Sequence, residues 1–179
     1  MKKIVSYMMT GILMLSFLLT GCGSPEPQTG KKMSMYYINT AETKVEVHEQ
    51  YLNTKTLDEQ LDETMKYLST TPEKLEYKAP LDMGFRVLDY EVEDGKLLIN
   101  VDKAYSELSP TTEVLVRAAI VRTLTQLPNV KYVGITVEDS QLYDNAGEMV
   151  GWMNADQFIN NDGNEINTYE LVKVKLYFA

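Results

Sequence analysis

Asp89, Glu91 and Glu93 recur at every second position. On a strand that spacing lines three carboxylates along one face. Paired carboxylates run glycoside hydrolysis, but one of them must be desolvated to raise its pKa. A regular acidic stripe on a hairpin arm is the composition of a solvated face; docking of a basic partner is the next reading, ahead of catalysis. The stretch Asn160-Asn161-Asp162-Gly163-Asn164-Glu165 invites a calcium loop. Aligning Gly163 with the glycine of an EF-hand puts Phe158 and Tyr169 where the first and last acidic ligands belong. The stretch therefore reads as a turn, and no metal is expected. Trp152, between Gly151 and Met153, would suit a ligand platform, but an aromatic near a turn is more often local core.

His48 is the single histidine and Cys22 the single cysteine. Sites with two His ligands, zinc sites of several Cys and His and an internal disulfide are thereby excluded. His48 lies beside Glu46 and Glu49 on the polar face of an expected strand, so a surface position is expected; pH sensing is the other use of such a residue. Cys-His catalysis is implausible, because Cys22 borders an apolar segment with no fold around it. Neither a Gly-x-Ser-x-Gly elbow nor a phosphate-cradling glycine loop is present. No catalytic residue and no cofactor is expected, and the chain is read as a non-enzyme.

Behind these residues stands a chain of 179 residues, 44% hydrophobic and 24% charged, which is globular composition. The net charge is −9, and it becomes −11 once Lys2 and Lys3, the only charges before Cys22, are set aside. Phosphate binding needs clustered Lys and Arg, so nucleic acid is not an expected partner. Twelve tyrosines weakly favour a binding protein.

Lys2 and Lys3 precede an apolar run from Ile4 to Leu19, then Thr20, Gly21 and Cys22. This is the layout of an export signal. The run is shorter than the roughly 20 apolar residues of a spanning helix. Leu19-Thr20-Gly21-Cys22 resembles a bacterial lipobox, which implies a thioether-linked lipid on Cys22, acyl chains such as palmitate, and cleavage before it. Each buried methylene contributes about 0.8 kcal/mol to anchoring. Residues 1–21 are expected to be the signal peptide, 22–32 a tether of linker composition, and 33–179 the domain.

Met35–Asn39 and Lys44–Tyr51 read as strands, the second with Val45 and Val47 on its apolar face. Thr56-Leu57-Asp58-Glu59 is a capping box, followed by Leu57, Leu61, Met65 and Leu68 on one helical face. Asp62 and Lys66 are set for an i,i+4 pair, and the helix should stop before Pro72. Gly84–Val101 reads as a hairpin about Asp94-Gly95, with Leu88, Tyr90 and Val92 on one face of its first arm and Leu97, Ile99 and Val101 on the second. Ser109-Pro110 starts a second helix with a wide apolar arc of Val114, Leu115, Ala118, Val121 and Leu124. Val130–Val137 is a strand, Asn145-Ala146-Gly147 a turn, and Ala155–Ile159 one helical turn. Leu171–Phe178 alternates Val172, Val174, Leu176 and Phe178 with Lys173, Lys175 and Tyr177, as a closing strand does. The order predicts an α+β fold, a mixed and mostly antiparallel sheet with two main helices on one face. A ferredoxin-like split βαβ is the generic alternative.

The stretch Ala118-Ala119-Ile120-Val121-Arg122-Thr123-Leu124-Thr125-Gln126 resembles the hallmark helix of the GerMN domain, with its Thr-Leu-Thr motif. Val130-Lys131-Tyr132-Val133 and Gly134-Ile135-Thr136-Val137 follow as in that family. Gly95–Asp102 resembles its strand ending in Val-Asp, and Met35–Asn39 its opening strand. The resemblance covers Lys32 to Val137. It implies a small α+β domain with folds similar to ring-building motifs, on lipoproteins at the outer face of the cytoplasmic membrane of a spore-forming, Gram-positive-type bacterium. It implies roles in sporulation, spore germination or envelope signalling as an interaction or assembly module. Partners would be membrane lipid through Cys22, an envelope or sporulation membrane protein, and a like domain by self-association. A peptidoglycan binder or remodelling protein is the alternative. Lys175–Ala179 resembles Met35–Asn39, so residues 170–179 read either as an extra strand of this domain or as the start of a second copy.

Overall fold

The computed structural model describes residues 30–71, 76–144 and 146–158. The expected lipid site at Cys22, the loop 160–165 and the strand Leu171–Phe178 lie outside the described residues. The described elements are β1 (Lys31–Asn39), β2 (Val45–Leu52), α1 (Leu57–Leu68), β3 (Tyr77–Lys78), β4 (Val87–Glu93), β5 (Lys96–Val101), a 3-10 turn (Lys103–Glu107), α2 (Pro110–Leu124), β6 (Tyr132–Val137), β7 (Ser140–Gln141) and a 3-10 turn (Ala155–Gln157). The fold is α+β, as expected. Its strands divide between two sheets, in the orders β2-β1-β3 and β4-β5-β6-β7. All pairs are antiparallel except β5-β6. That parallel pair is joined through α2, as a parallel connection requires.

Local signals set the helix ends. Thr56 Oγ1 accepts from Glu59 N, and Glu59 Oε2 accepts from Thr56 N, so the capping box is complete. Ser109 Oγ accepts from Thr112 N with Pro110 at N1. Leu61, Met65 and Leu68 of α1 are buried, and both helices pack on β1 and β2. In α2 the N-terminal half is buried on one side, through Thr112 and Val116, and the C-terminal half nearly all round. Val114 therefore points outward and is 44% exposed, contrary to its expected place in the apolar arc. Asp62 accepts the Tyr90 hydroxyl at 2.7 Å rather than pairing with Lys66.

The β2 strand has the opposite phase from the one its valines suggest. Asn39 Oδ1 accepts from Thr43 N and Lys44 N, and Asn39 N donates to Lys44 O, closing a tight turn. That turn sets Tyr37 opposite Glu46 and Met35 opposite His48. Met33, Met35 and Tyr37 face the core, so Glu46, His48 and Gln50 share their face and Val47 is left half-exposed. A slip of one residue inverts every side chain of a strand, and here the turn outweighs Val47, while Val45, opposite the buried Ile38, still packs partly against the core. His48 is accordingly half-buried, not on the open surface.

Within the same turn, Glu42 holds a left-handed φ of 52°. Its carboxylate takes Lys78 Nζ at 2.5 Å and Thr112 Oγ1 at 2.6 Å, joining β3 and the start of α2. The Lys78 bond first, then the Thr112 bond, hold the Glu42 carboxyl below its ordinary value of 4.5. A depressed carboxyl adds stability that is present above the unfolded value and lost as pH falls through the folded one. Between pH 7 and pH 3 the wild type is therefore expected to lose more denaturation midpoint than Glu42→Gln. Equal losses would show that these bonds do not couple to folding.

Candidate docking face

The hairpin β4-β5 turns at Asp94 (φ 49°) and Gly95 (φ 80°), both left-handed, the pattern of a type I′ turn. Its register pairs Glu93 with Lys96, Glu91 with Leu98, and Asp89 with Asn100. In β6 the same face continues as Tyr132, Gly134 and Thr136. Leu97, Ile99, Val133 and Ile135 fill the opposite, core face. A register shift between Val87 and Asp89 turns Leu88 out, 49% exposed. The expected apolar face of β4 is thus Tyr90 and Val92 without Leu88, since a bulge breaks the alternation at its own residue.

The acidic stripe is solvent-exposed along its whole length. Asp89 is tied inward by one bond: the buried Asn100 Nδ2 donates to Asp89 Oδ2 at 3.1 Å and to Asp139 Oδ1 at 2.7 Å. Asn100 Oδ1 accepts from Asp139 N at 3.0 Å. Asn100 thereby locks β4 and the β6-β7 turn onto β5. Nothing in the local sequence signals this role, because its partners lie on another strand, β4, and in the β6-β7 turn.

Trp152 is 42% exposed, outside the buried core in which a local reading placed it. It lies flat on β6 because position 134 is glycine. A Cβ there would meet Trp152 Cζ3 at 2.8 Å, Cε3 at 3.0 Å and Leu98 Cδ1 at 3.2 Å. Lys96 Nζ stands 5.3 Å from the Trp152 ring centroid, a cation–π contact. Glu91, Glu93, Asp94, Lys96, Leu98 and Trp152 line a shallow depression of about 250 Å³. A half-exposed indole between acids and a lysine can stack on an apolar or sugar face while the rim selects by charge. Gly134→Val is expected to lift the indole and lower stability by about 1–3 kcal/mol. Trp152 is the single tryptophan, so a red shift of intrinsic fluorescence reads the displacement directly; an unshifted spectrum would contradict it.

A separate cluster holds the core beneath. Glu113 and Arg117 form an ion pair at 2.6 Å, with side chains 12% and 13% exposed. Tyr105 donates to Glu113 Oε1 at 3.0 Å, and burial pushes its hydroxyl pKa well up. The i,i+4 spacing of Glu113 and Arg117 was the available sequence signal. The three groups lie among core residues and do not open onto the depression described above. Among the described residues no cluster of three or more His, Cys, Asp or Glu is arranged to hold a metal.

A family model described as "Germane: Sporulation and spore germination" matches residues 34–143, well over half of the chain, from within β1 to just beyond β7. No curated protein matches. The tandem GerMN domains of the sporulation protein GerM from Bacillus subtilis align with a TM-score of 0.53 at 18% identity, covering 79% of this chain and 51% of that one. The chain thus spans about half the length of that tandem structure. The first GerMN domain of GerM from Bacillus subtilis aligns with a TM-score of 0.55 at 14% identity, over 72% of this chain and 99% of that one. The arrangement of two helices and two sheets described above is accordingly the fold of GerMN domains, and the chain belongs to the Germane family of sporulation and spore germination.

Proposed function

We propose that the chain is an extracytoplasmic lipoprotein. Its domain would act as a non-catalytic interaction module in sporulation or spore germination, held at the outer face of the cytoplasmic membrane through Cys22. The match of residues 34–143 to the Germane family carries this reading. The lipobox-like Leu19-Thr20-Gly21-Cys22 supplies the anchor, and the face bearing Trp152 and the acidic stripe supplies a docking surface. Confinement to a membrane raises the effective concentration of domain and partner, so a weak docking face suffices. The partner is an envelope or sporulation membrane protein, or a like domain.

The test is crosslinking of the full-length protein at native level in its own host, during growth and during sporulation, beside Cys22→Ala. Capture of sporulation-specific membrane proteins only when Cys22 is present is expected. Capture of nothing in either state would remove the reading. A second reading, binding of wall glycan, is favoured by the half-exposed Trp152 beside Glu91 and Glu93. Co-sedimentation of the full chain with purified peptidoglycan, lost in Trp152→Ala, would select it.

A further inference from the structure

The outer face of the second sheet is built in rows. Glu93, Lys96 and Tyr132 stand side by side in one row, and Glu91, Leu98 and Gly134 in the next. Trp152 covers Gly134. The acids are therefore on the β4 side and the indole on the β6 side, with Leu98 on the strand between them. Two strand spacings of roughly 4.8 Å separate the acids from the indole. The depression of about 250 Å³ is this slot. A second depression, of about 160 Å³, lies on the β7 side of the same indole, lined by Leu98, Gly134, Met149 and Trp152. Met149 is 63% exposed there.

The charges of the slot are unbalanced. Three carboxylates, Glu91, Glu93 and Asp94, meet one ammonium, Lys96. Among the described residues none of the three carboxylates is in an ion pair. Lys96 Nζ instead stands 5.3 Å from the centroid of the indole. The ring thus accepts a cation already, while the acids opposite have none. A long basic side chain satisfies both walls: its methylenes cover Leu98 and the ring, and its head meets the carboxylates. Arginine suits the slot better than lysine, because a planar guanidinium stacks on an aromatic face while its fork of donors engages a carboxylate. Lys96, on its flexible stem, can yield the ring by turning to Glu93, its neighbour across the hairpin. A neutral sugar would leave the three acids without a counter-charge, and an acidic one would be repelled.

In an extended chain, residues two apart share a face at a spacing of roughly 6.6 Å. One such chain can fill both depressions, with a basic side chain in the first and an apolar one against Met149 in the second. The geometry points to an extended segment of a partner protein, with an arginine and a large apolar residue two positions apart, as the occupant of the two depressions beside Trp152; this assignment rests on the docking role proposed above for the same face.

The probe is the peptide acetyl-Leu-Ala-Arg-Ala-Leu-amide, which offers the pairing in either chain direction. It is titrated into the full chain in non-ionic detergent and followed by the emission of Trp152, the single tryptophan. A saturable change is expected. Citrulline in place of arginine, or alanine in place of both leucines, is expected to weaken binding several-fold, as is Glu91→Gln/Glu93→Gln. Both acids are exposed, so that variant is expected to keep the wild-type denaturation midpoint. Lys96→Met is expected to tighten binding, since it removes the competing cation. Equal binding of the citrulline peptide, unchanged binding in Glu91→Gln/Glu93→Gln, weaker binding in Lys96→Met, or a response to the N-acetylglucosamine tetramer and not to the peptide would each overturn the assignment. Crosslinking in the host, repeated with Trp152→Ala, separates the two levels. Capture lost in Trp152→Ala, with no peptide binding by the wild type, leaves the docking role standing and overturns the arginine assignment. Capture kept in Trp152→Ala removes the docking role of this face and the assignment with it.

Discussion

Arg117→Met is expected to destabilise the domain by about 3–5 kcal/mol, a large share of the roughly 5–15 kcal/mol that holds a domain folded. Arg117 Nε lies 2.6 Å from Glu113 Oε1, and both side chains are almost fully buried. Removing the cation leaves a carboxylate away from water with the Tyr105 hydroxyl still donating to its Oε1. Glu113 Oε2 already lacks a hydrogen-bond partner, so the site has no spare donor to take over. The double variant Glu113→Leu/Arg117→Met removes both charges and is expected to recover most of the loss. Urea denaturation at pH 7 of the two variants measures both values. A cost below about 1 kcal/mol for Arg117→Met would place the pair with ordinary surface ion pairs.

Thr123→Val combined with Gln126→Leu is expected to cost about 2–5 kcal/mol, because it strips partners from the backbone of β1. On the flank of β1 away from β2, β3 pairs with Ile38 and Asn39 only. The rest of that flank meets the end of α2. Thr123 Oγ1 accepts from Tyr36 N at 3.0 Å. Gln126 Oε1 accepts from Ser34 N at 3.0 Å, and Gln126 Nε2 donates to Ser34 O at 2.7 Å. Two side chains thus stand where a neighbouring strand would, closing an edge that is otherwise open to pairing. This gives the Thr-Leu-Thr stretch of the family resemblance a physical account: Thr123 pairs with the sheet, Leu124 enters the core, and Thr125 Oγ1 turns back to Val121 O at 2.7 Å. Hydrogen exchange is the sharper readout. The Ser34 and Tyr36 amides should lose protection before the β2-facing amides of β1. Uniform protection loss along β1 would show global destabilisation without this local role.

Much of the architecture was legible before any contact was known. Thr56 with Glu59, Ser109 with Pro110, and Asp94 with Gly95 act within a few residues, and a cap or a type I′ turn carries its whole cause in that span. The buried series Leu61, Met65, Leu68 and Leu97, Ile99, Val101 followed because each element's period is intrinsic to its backbone. Even the lipobox-like Cys22 and the family resemblance are short-range patterns. The exposed acidic stripe was read correctly for the same reason, since alternation on a hairpin arm already separates a wet face from a core face.

Tertiary structure decided the rest. Val45 and Val47 predicted one phase for β2, but pairing with β1, set by the Asn39 turn, turned Val47 out, left Val45 only partly covered and drew His48 partly inward. Leu88 came out through a bulge that exists only relative to β5. Trp152 found its place because residue 134, on another strand, lacks a Cβ. The partners of Thr123 and Gln126 lie some ninety residues earlier in the chain. Each of these outcomes depends on which backbone atoms of distant segments meet. A periodic pattern of apolar residues states that a face will be buried, but register and packing choose which face, and against what.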